Sequence, residues 1–451
     1  MSNNHQLSAN SLGIGESIIM GVAGAAPAFS ISAAVVALVA SVRTMAPASV
    51  LYCGIFMFGI TLSFIHLNKL KVSAGASYAW VSDIFGRHLG FLAGWALLVS
   101  SAVFMVSGSI PAATATLLLI APHYADNLAL VTLVAALWLT FIIFISFKGI
   151  KPASYLQVLM TGIEIIILVA IIVGGMIRFI KMPAHSFSLS WFSLTGFSPS
   201  TFAMGALTAV FLYWGWDVTL NLNEETKNAK HSPGWGAFWS VLIIILLFEA
   251  FIVTALLVLS DSEIQKAGTN IIFAIADKIF PRPWSYLAVL CVILSSIGTL
   301  ETTIIQFTRT LYALGRDKVM HPRYALLHQT RNSPWVAILV IWVFGMIFLF
   351  LSSYSSAVHI LMSDSVSAVS FQVALYYSLT GFACAWYYRH TWKNIIELLG
   401  YIIWPVLSAL FLVFIALYSI PTFDLLTNLI GLGGILIGIV PFILNERRIK
   451  E

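Results

Sequence analysis

The chain is short of charge. Of its 451 residues only 9% are Asp, Glu, Lys or Arg, against 60% hydrophobic, and mean hydropathy is +0.95. A soluble domain of this length needs a charged surface, so the composition excludes one. Cysteine is scarce too. Cys53, Cys291 and Cys384 lie in or near apolar runs and no pair has metal-ligand spacing. That excludes a disulfide framework or a zinc site and leaves small packing residues. There is no P-loop, no H-E-x-x-H and no nucleophile elbow, so neither ATP-driven work nor the enzyme chemistries those motifs serve is expected. No metal or other cofactor is expected. No basic, aromatic-interleaved patch points to a nucleic-acid partner. Long linkers and low-complexity tracts are also missing, so residues 1–451 read as a single transmembrane domain.

What the chain has is apolar runs of about 20 residues or more, the length that crosses a bilayer as a helix. The short alternating segments of a β-barrel do not occur. Twelve spans are predicted, near 15–41, 46–67, 89–121, 128–147, 153–177, 200–221, 235–259, 284–308, 334–352, 356–386, 398–419 and 424–444. The first fourteen residues carry no Lys or Arg and lead into a run too long for a signal-peptide core, so it reads as an uncleaved first span. With a cytoplasmic N-terminus, only Arg43, Arg178, Lys181, Lys266, Lys278 and Arg282 of the 23 Lys and Arg lie outside. The positive-inside rule therefore places both termini in the cytoplasm. The net charge of +5 reports that topology.

Two spans carry poor helix formers at mid-membrane. Residues 21–27 read GVAGAAP, and residues 211–217 read FLYWGWD. Gly and Pro weaken a helix interior. One explanation is close helix packing through small residues. The other is a break whose freed backbone groups line a cavity, because such groups cannot face lipid. Asp217 after Gly215 suits the N-cap of a helix that restarts. Interrupted spans one and six would fit two five-helix repeats with a binding site between them. The first repeat would cover about 15–177 and the second about 200–386, with two extra helices at about 398–444.

At these residues the chain resembles the amino acid–polyamine–organocation superfamily of permeases. MGVAGAAP (20–27) is similar to that family's first-span pattern. SAGASYAWVSDIFGRHLGFLAGW (73–95), FLYWGWDVTLNLNEETKNAK (211–230) and TRTLYALGRDKVMHP (308–322) resemble three further motifs in the same order. Departures occur at Gly24–Ala25, at Ala76–Ser77 and at Ala229, where proline is usual. The resemblance implies two inverted five-helix repeats, spans 1–5 and 6–10, plus two C-terminal helices. It implies a substrate held among spans 1, 3, 6, 8 and 10. Its carboxylate would meet amides around Met20, Gly21, Val22, Ala23 and Gly24. Its ammonium would meet carbonyls near Tyr213, Trp214 and Gly215. Trp214 or Trp216 would be an aromatic gate, and Asp217 a gate or helix cap.

Glu164, Glu249 and Glu301 lie well inside spans, where a carboxylate costs roughly 2.5–3.5 kcal/mol on the insertion scale. Desolvation favours the protonated form of a carboxylate, which suits a proton carrier. Glu164 falls where many members of the resembling family have a lysine that stands in for sodium. It reads either as a proton or cation carrier or as a neutral hydrogen-bonded residue. Glu301, near Ser295, Ser296 and Thr299, could share a cation site with those hydroxyls. Glu249, Asp364 and the cytoplasmic cluster of Glu224, Glu225, Lys227, Arg309, Arg316 and Asp317 stay open. The cluster is either a solvated loop or an inner gate of weak surface ion pairs.

The expected function is secondary active transport of an amino acid or related amine across the plasma membrane. Alternating access would be driven by proton symport, with sodium as the alternative coupling ion. Exchange of two solutes is the rival within transport, and a non-transporting nutrient sensor the rival outside it. The sequence names neither the substrate nor the oligomeric state.

Overall fold

The computed structural model describes residues 6–125, 127–354 and 358–450. The described residues are predominantly helical. In chain order the helices are α1 Ile14–Ala25, α2 Pro27–Val42, α3 Ala46–Leu70, α4 Ser77–Phe85, α5 Arg87–Ile120, α6 Leu128–Phe147, α7 Ile150–Phe179, α8 Pro199–Leu212, α9 Val218–Asn221 and α10 Ser232–Val258. They continue as α11 Asp261–Ala267, α12 Ile271–Ile279, α13 Leu287–Arg316, α14 Trp335–Ser352, α15 Val358–Tyr388, α16 Ile395–Leu398, α17 Trp404–Ser419, α18 Leu425–Asn428, α19 Gly434–Leu436 and α20 Ile439–Lys450.

Ten runs among the described residues are long and apolar enough to cross a membrane. The first, Ile14–Leu70, has 57 residues. At about 1.5 Å per residue it would extend roughly 85 Å, far beyond a hydrocarbon core of about 30 Å. It turns instead at Arg43, where φ is +51°, and so makes two crossings. The apolar helix Pro199–Leu212 is too short alone and crosses only with α9. Twelve crossings result among the described residues. The expected boundaries hold within a few residues, except that α13 runs on to Arg316 and takes Arg309 inside the helix. The short helices α4, α11 and α12 were not expected.

The centre belongs to α13. It packs along α5, α7 and α1, and from Cys291 to Gly315 nearly every side chain is buried. Many of those side chains are polar, including Ser295, Thr299, Glu301, Gln306 and Arg309. A helix of that composition cannot face lipid, so it is enclosed by its neighbours and points polar groups at them. By contrast α6, α14 and α17 expose large apolar side chains such as Leu137, Phe344 and Leu407 and form the outer wall.

Candidate functional site: two broken helices and the polar helix between them

The first span breaks at Ala26. This residue adopts left-handed backbone, φ +46° and ψ +72°, and Pro27 opens α2. Proline suits that position because its missing N–H would have no helical partner. The sixth span stops at Leu212, turns through Tyr213–Asp217 and restarts as α9. Gly215 at φ +104° makes that turn. The two breaks touch. A methyl group on Gly24 would meet the Gly215 carbonyl oxygen, and one on Gly215 would meet the Gly24 carbonyl.

A helix end leaves four carbonyls or four amides without intrahelical partners. At this break they are accounted for. Of the last four carbonyls of α1, Val22 and Ala23 accept from the Ala26 amide, Gly24 accepts from Thr299 Oγ1 at 3.0 Å, and Ala25 accepts from Ser30 Oγ at 2.7 Å. On α2 the Ala28 amide donates to Glu164 Oε1 at 2.9 Å. Phe29 donates to Ser295 Oγ at 3.0 Å, and Ser30 to Ala26. Ser295 in turn donates to Glu164 Oε1 at 2.6 Å. Glu164 is 1% exposed. Its carboxylate therefore sits at the N-terminus of α2, where the helix dipole favours negative charge, and ties α7, α2 and α13 together.

This placement differs from expectation in one respect. The amides of Gly21 to Gly24 lie inside α1 and are spent on its own ladder. Gly21 packs against Ser240 of α10, and Gly24 against Gly215. Met20 is buried in an apolar cluster with Leu12, Ile150, Val218, Leu222 and Ile305. Val22 and Ala23 are buried as well. The amides that a ligand could reach by displacing a side chain are those of Ala28 and Phe29, one turn further on. The glycines provide close approach and leave the break itself to Ala26 and Pro27.

Asp217 also differs. It occupies the N-cap position of α9 but its side chain makes no cap. Instead it is fully buried and accepts three hydrogen bonds: Gln306 Nε2 at 2.6 Å and Tyr376 OH at 2.9 Å on Oδ2, and Tyr377 OH at 2.9 Å on Oδ1. Trp214 Nε1 donates to Tyr376 OH at 2.9 Å. The restart of the sixth span is thereby bound to α13 and α15. Removing one phenol from this carboxylate costs about 1.5–3 kcal/mol, the scale of a hydrogen bond to a charged group. Tyr376→Phe and Tyr377→Phe are each expected to lower the melting temperature of the purified protein. Exposed Tyr155→Phe serves as the control. Melting curves indistinguishable from the parent would deny the hub its structural weight.

Aromatic rings pack around the breaks. Phe29 meets Phe104 edge-on at 5.3 Å, and Phe104 meets Trp214 edge-on at 5.2 Å. Trp216 is buried against Phe64 and Tyr377. Tyr213 turns towards α3 and donates to the Val50 carbonyl. Of the expected aromatic gates, Trp214 borders the breaks and Trp216 packs into the α3–α15 core.

Glu301 stands apart from Ser295 and Ser296. Six residues along a helix turn through 600°, so Glu301 points about 120° away from Ser295. A shared site with Ser295 is therefore not formed. Its oxygens, the Ser296 hydroxyl and both oxygens of Glu249 are buried without a hydrogen-bond partner among the described residues. Asp364 is buried on α15, and its Oδ2 has no such partner either. No group of three or more His, Cys, Asp or Glu residues placed to hold a metal occurs among the described residues.

At the far end of α13, Arg309 grips Glu225 through two bonds of 2.9 and 3.0 Å. The pair is 4% and 1% exposed. Arg316 binds Glu224 at 2.8 Å, Glu224 accepts from the Ala74 amide, and Asn221 donates to the Ala74 carbonyl and to Thr310. The backbone of Ser11 and Leu12 joins Glu225. This is a tight plug rather than a solvated loop, and its central pair is buried rather than on the surface. The sequence conceals it because the partner residues are more than eighty positions apart.

The family model described as amino acid permease matches residues 7–441, and the chain belongs to that family. It is 26% identical to the branched-chain amino acid permease BcaP of Lactococcus lactis over 64% of this chain and 66% of that protein. It is 26% identical to the serine/threonine exchanger SteT of Bacillus subtilis over 72% of this chain and 70% of that protein. It is 23% identical to the human b(0,+)-type amino acid transporter 1 over 83% and 75%. The first of these alignments spans just under two thirds of the relative's length. These relatives are named as permeases, exchangers and transporters, not as enzymes.

Proposed function

We propose that the chain is a secondary transporter of an amino acid or related amine in the plasma membrane, working by alternating access with proton symport. Both termini would lie in the cytoplasm, and spans 1–5 and 6–10 would form the two inverted repeats. One observation carries the coupling: the Glu164 carboxylate occupies the Ala28 amide at the N-terminus of a broken helix. That amide is a natural seat for a substrate carboxylate. Two carboxylates compete for it. A proton on Glu164 removes its negative charge, weakens its hold on Ala28 and lets the substrate carboxylate take the amide. Deprotonation after release restores the Glu164 contact. One proton would then move with each substrate, and one charge crossing about 100 mV supplies about 2.3 kcal/mol.

The purified protein in liposomes, assayed with labelled amino acids, is expected to show faster uptake under an inward proton gradient. Glu164→Gln is permanently neutral. It should keep substrate binding, measured by thermal shift, and lose the gradient effect, which is at least tenfold if one charge drives accumulation. Undiminished gradient dependence in that variant would take Glu164 out of the mechanism. Uptake only into liposomes preloaded with substrate would replace symport by exchange, and gradient dependence on sodium alone would replace the proton.

A further inference from the structure

A groove of about 650 Å³ lies away from the broken helices, on the outer face between α3 and the α16–α17 region. Its apolar wall is Leu62, Ile396, Leu399, Ile403, Trp404 and Leu407. From Ile396 to Leu407 the wall runs about 16 Å at helical rise, close to the roughly 15 Å hydrocarbon depth of one leaflet. The wall is not regular helix. Leu399–Ile403 is a π turn, a feature that recurs at functional sites, and a methyl group on Gly400 would meet nothing within 4 Å. One end of the groove is polar. His66 and Tyr401 line it, with their rings 4.1 Å apart. Tyr388 packs on Tyr401 at 4.6 Å. Just beyond lie Lys69, Arg389, His390 and Lys393, all exposed. None of these four has an ion-pair partner among the described residues. The acid at that end, Glu397, is engaged by the Lys393 amide.

We propose that this groove binds an anionic phospholipid of the leaflet on the side that carries the chain termini. One acyl chain lies along Leu62, Leu399 and Leu407, and the phosphate sits at the rim formed by Lys69, Arg389 and Lys393. The charge of the rim selects the headgroup, since basic residues at the membrane surface attract anionic lipid. A chain in a fixed groove of one-leaflet length distinguishes this contact from the surrounding annulus of lipid.

The test uses full-length protein purified from membranes in mild detergent and analysed by native mass spectrometry, with phosphatidylglycerol and phosphatidylcholine of the same chains added back. Phosphatidylglycerol should be retained at least fivefold over phosphatidylcholine. Gly400→Phe, which fills the groove, and the pair Arg389→Gln with Lys393→Gln, which empties the rim, should each abolish that preference while melting temperature in detergent alone stays within a few degrees. Equal retention of both lipids, or an unchanged preference in both variants, would overturn the proposal. So would disulfide-linked dimers of Gly400→Cys in the bilayer, because a second copy would then cover the groove.

Discussion

Gly24→Ala is expected to lower initial uptake more than tenfold and to lower melting temperature, and Gly215→Ala to do both more strongly. The two residues meet backbone to backbone, and a methyl group on either lands on the other's carbonyl. Backbone cannot rotate away as a flexible side chain can. Overpacking of that kind costs about 1–3 kcal/mol. At Gly215 the left-handed conformation, φ +104°, adds about 1–2 kcal/mol for any residue with a Cβ. Gly162 is the control. It sits in α7 with nothing within 4 Å of an added methyl, and Gly→Ala in a helix contributes about 0.5–1 kcal/mol, so that variant should be neutral or slightly stabilised. Uptake at the parental rate in Gly24→Ala would show that the breaks do not need this contact in any state of the cycle.

The contact also explains what could and could not be read from the sequence. The spans and the two interruptions were legible because membrane length, glycine and proline are local signals. The register of the first break was not. Glycine serves both close approach and chain reversal, and only the fold reveals that Gly21 and Gly24 do the former while Ala26, an alanine in left-handed backbone, does the latter. Asp217 was legible as a special residue but not as a hub. Its partners Gln306, Tyr376 and Tyr377 lie 89 to 160 residues away in sequence, and nothing local marks a tyrosine as a donor to it. Glu164 was legible because a carboxylate in an apolar run demands an explanation. That it satisfies an amide of a broken helix depends on how α7 lies against α2, which hydropathy does not encode.

These placements connect the two ends of α13. Ser295 and Thr299 hold the first break, Gln306 holds the restart of the sixth span through Asp217, and Arg309 and Thr310 hold the plug. Thr299, Gln306 and Thr310 follow Ser295 at spacings of four, seven and four, with Arg309 beside Thr310, so the five share one stripe of the helix. A rearrangement at the Glu164–Ser295 contact therefore shares a rigid element with the seal some four turns away. That is the physical link coupling requires: one element both sites bias.

The seal is where the largest shift of conformation is expected. Arg309 and Glu225 are both buried, and their two hydrogen bonds offset the cost of keeping the charges out of water. Removing one partner strands the other, at a cost of about 3–5 kcal/mol to the closed arrangement. At about 1.4 kcal/mol per tenfold, the closed-to-open ratio should fall more than a hundredfold in Glu225→Gln or Arg309→Met. The readout is thiol labelling of Leu222→Cys, a buried apolar residue whose side chain makes none of the plug's bonds, in a protein whose three native cysteines are buried. Either single substitution should raise the labelling rate from the termini side by at least tenfold. The double variant Glu225→Leu with Arg309→Met should regain much of the lost stability, because no charge is left stranded and apolar replacement of a buried pair is often neutral. Labelling as slow in the single variants as in the parent would mean that the plug is held by Arg316, Glu224 and Asn221 instead, and that the buried pair is ornament to a gate closed by other bonds.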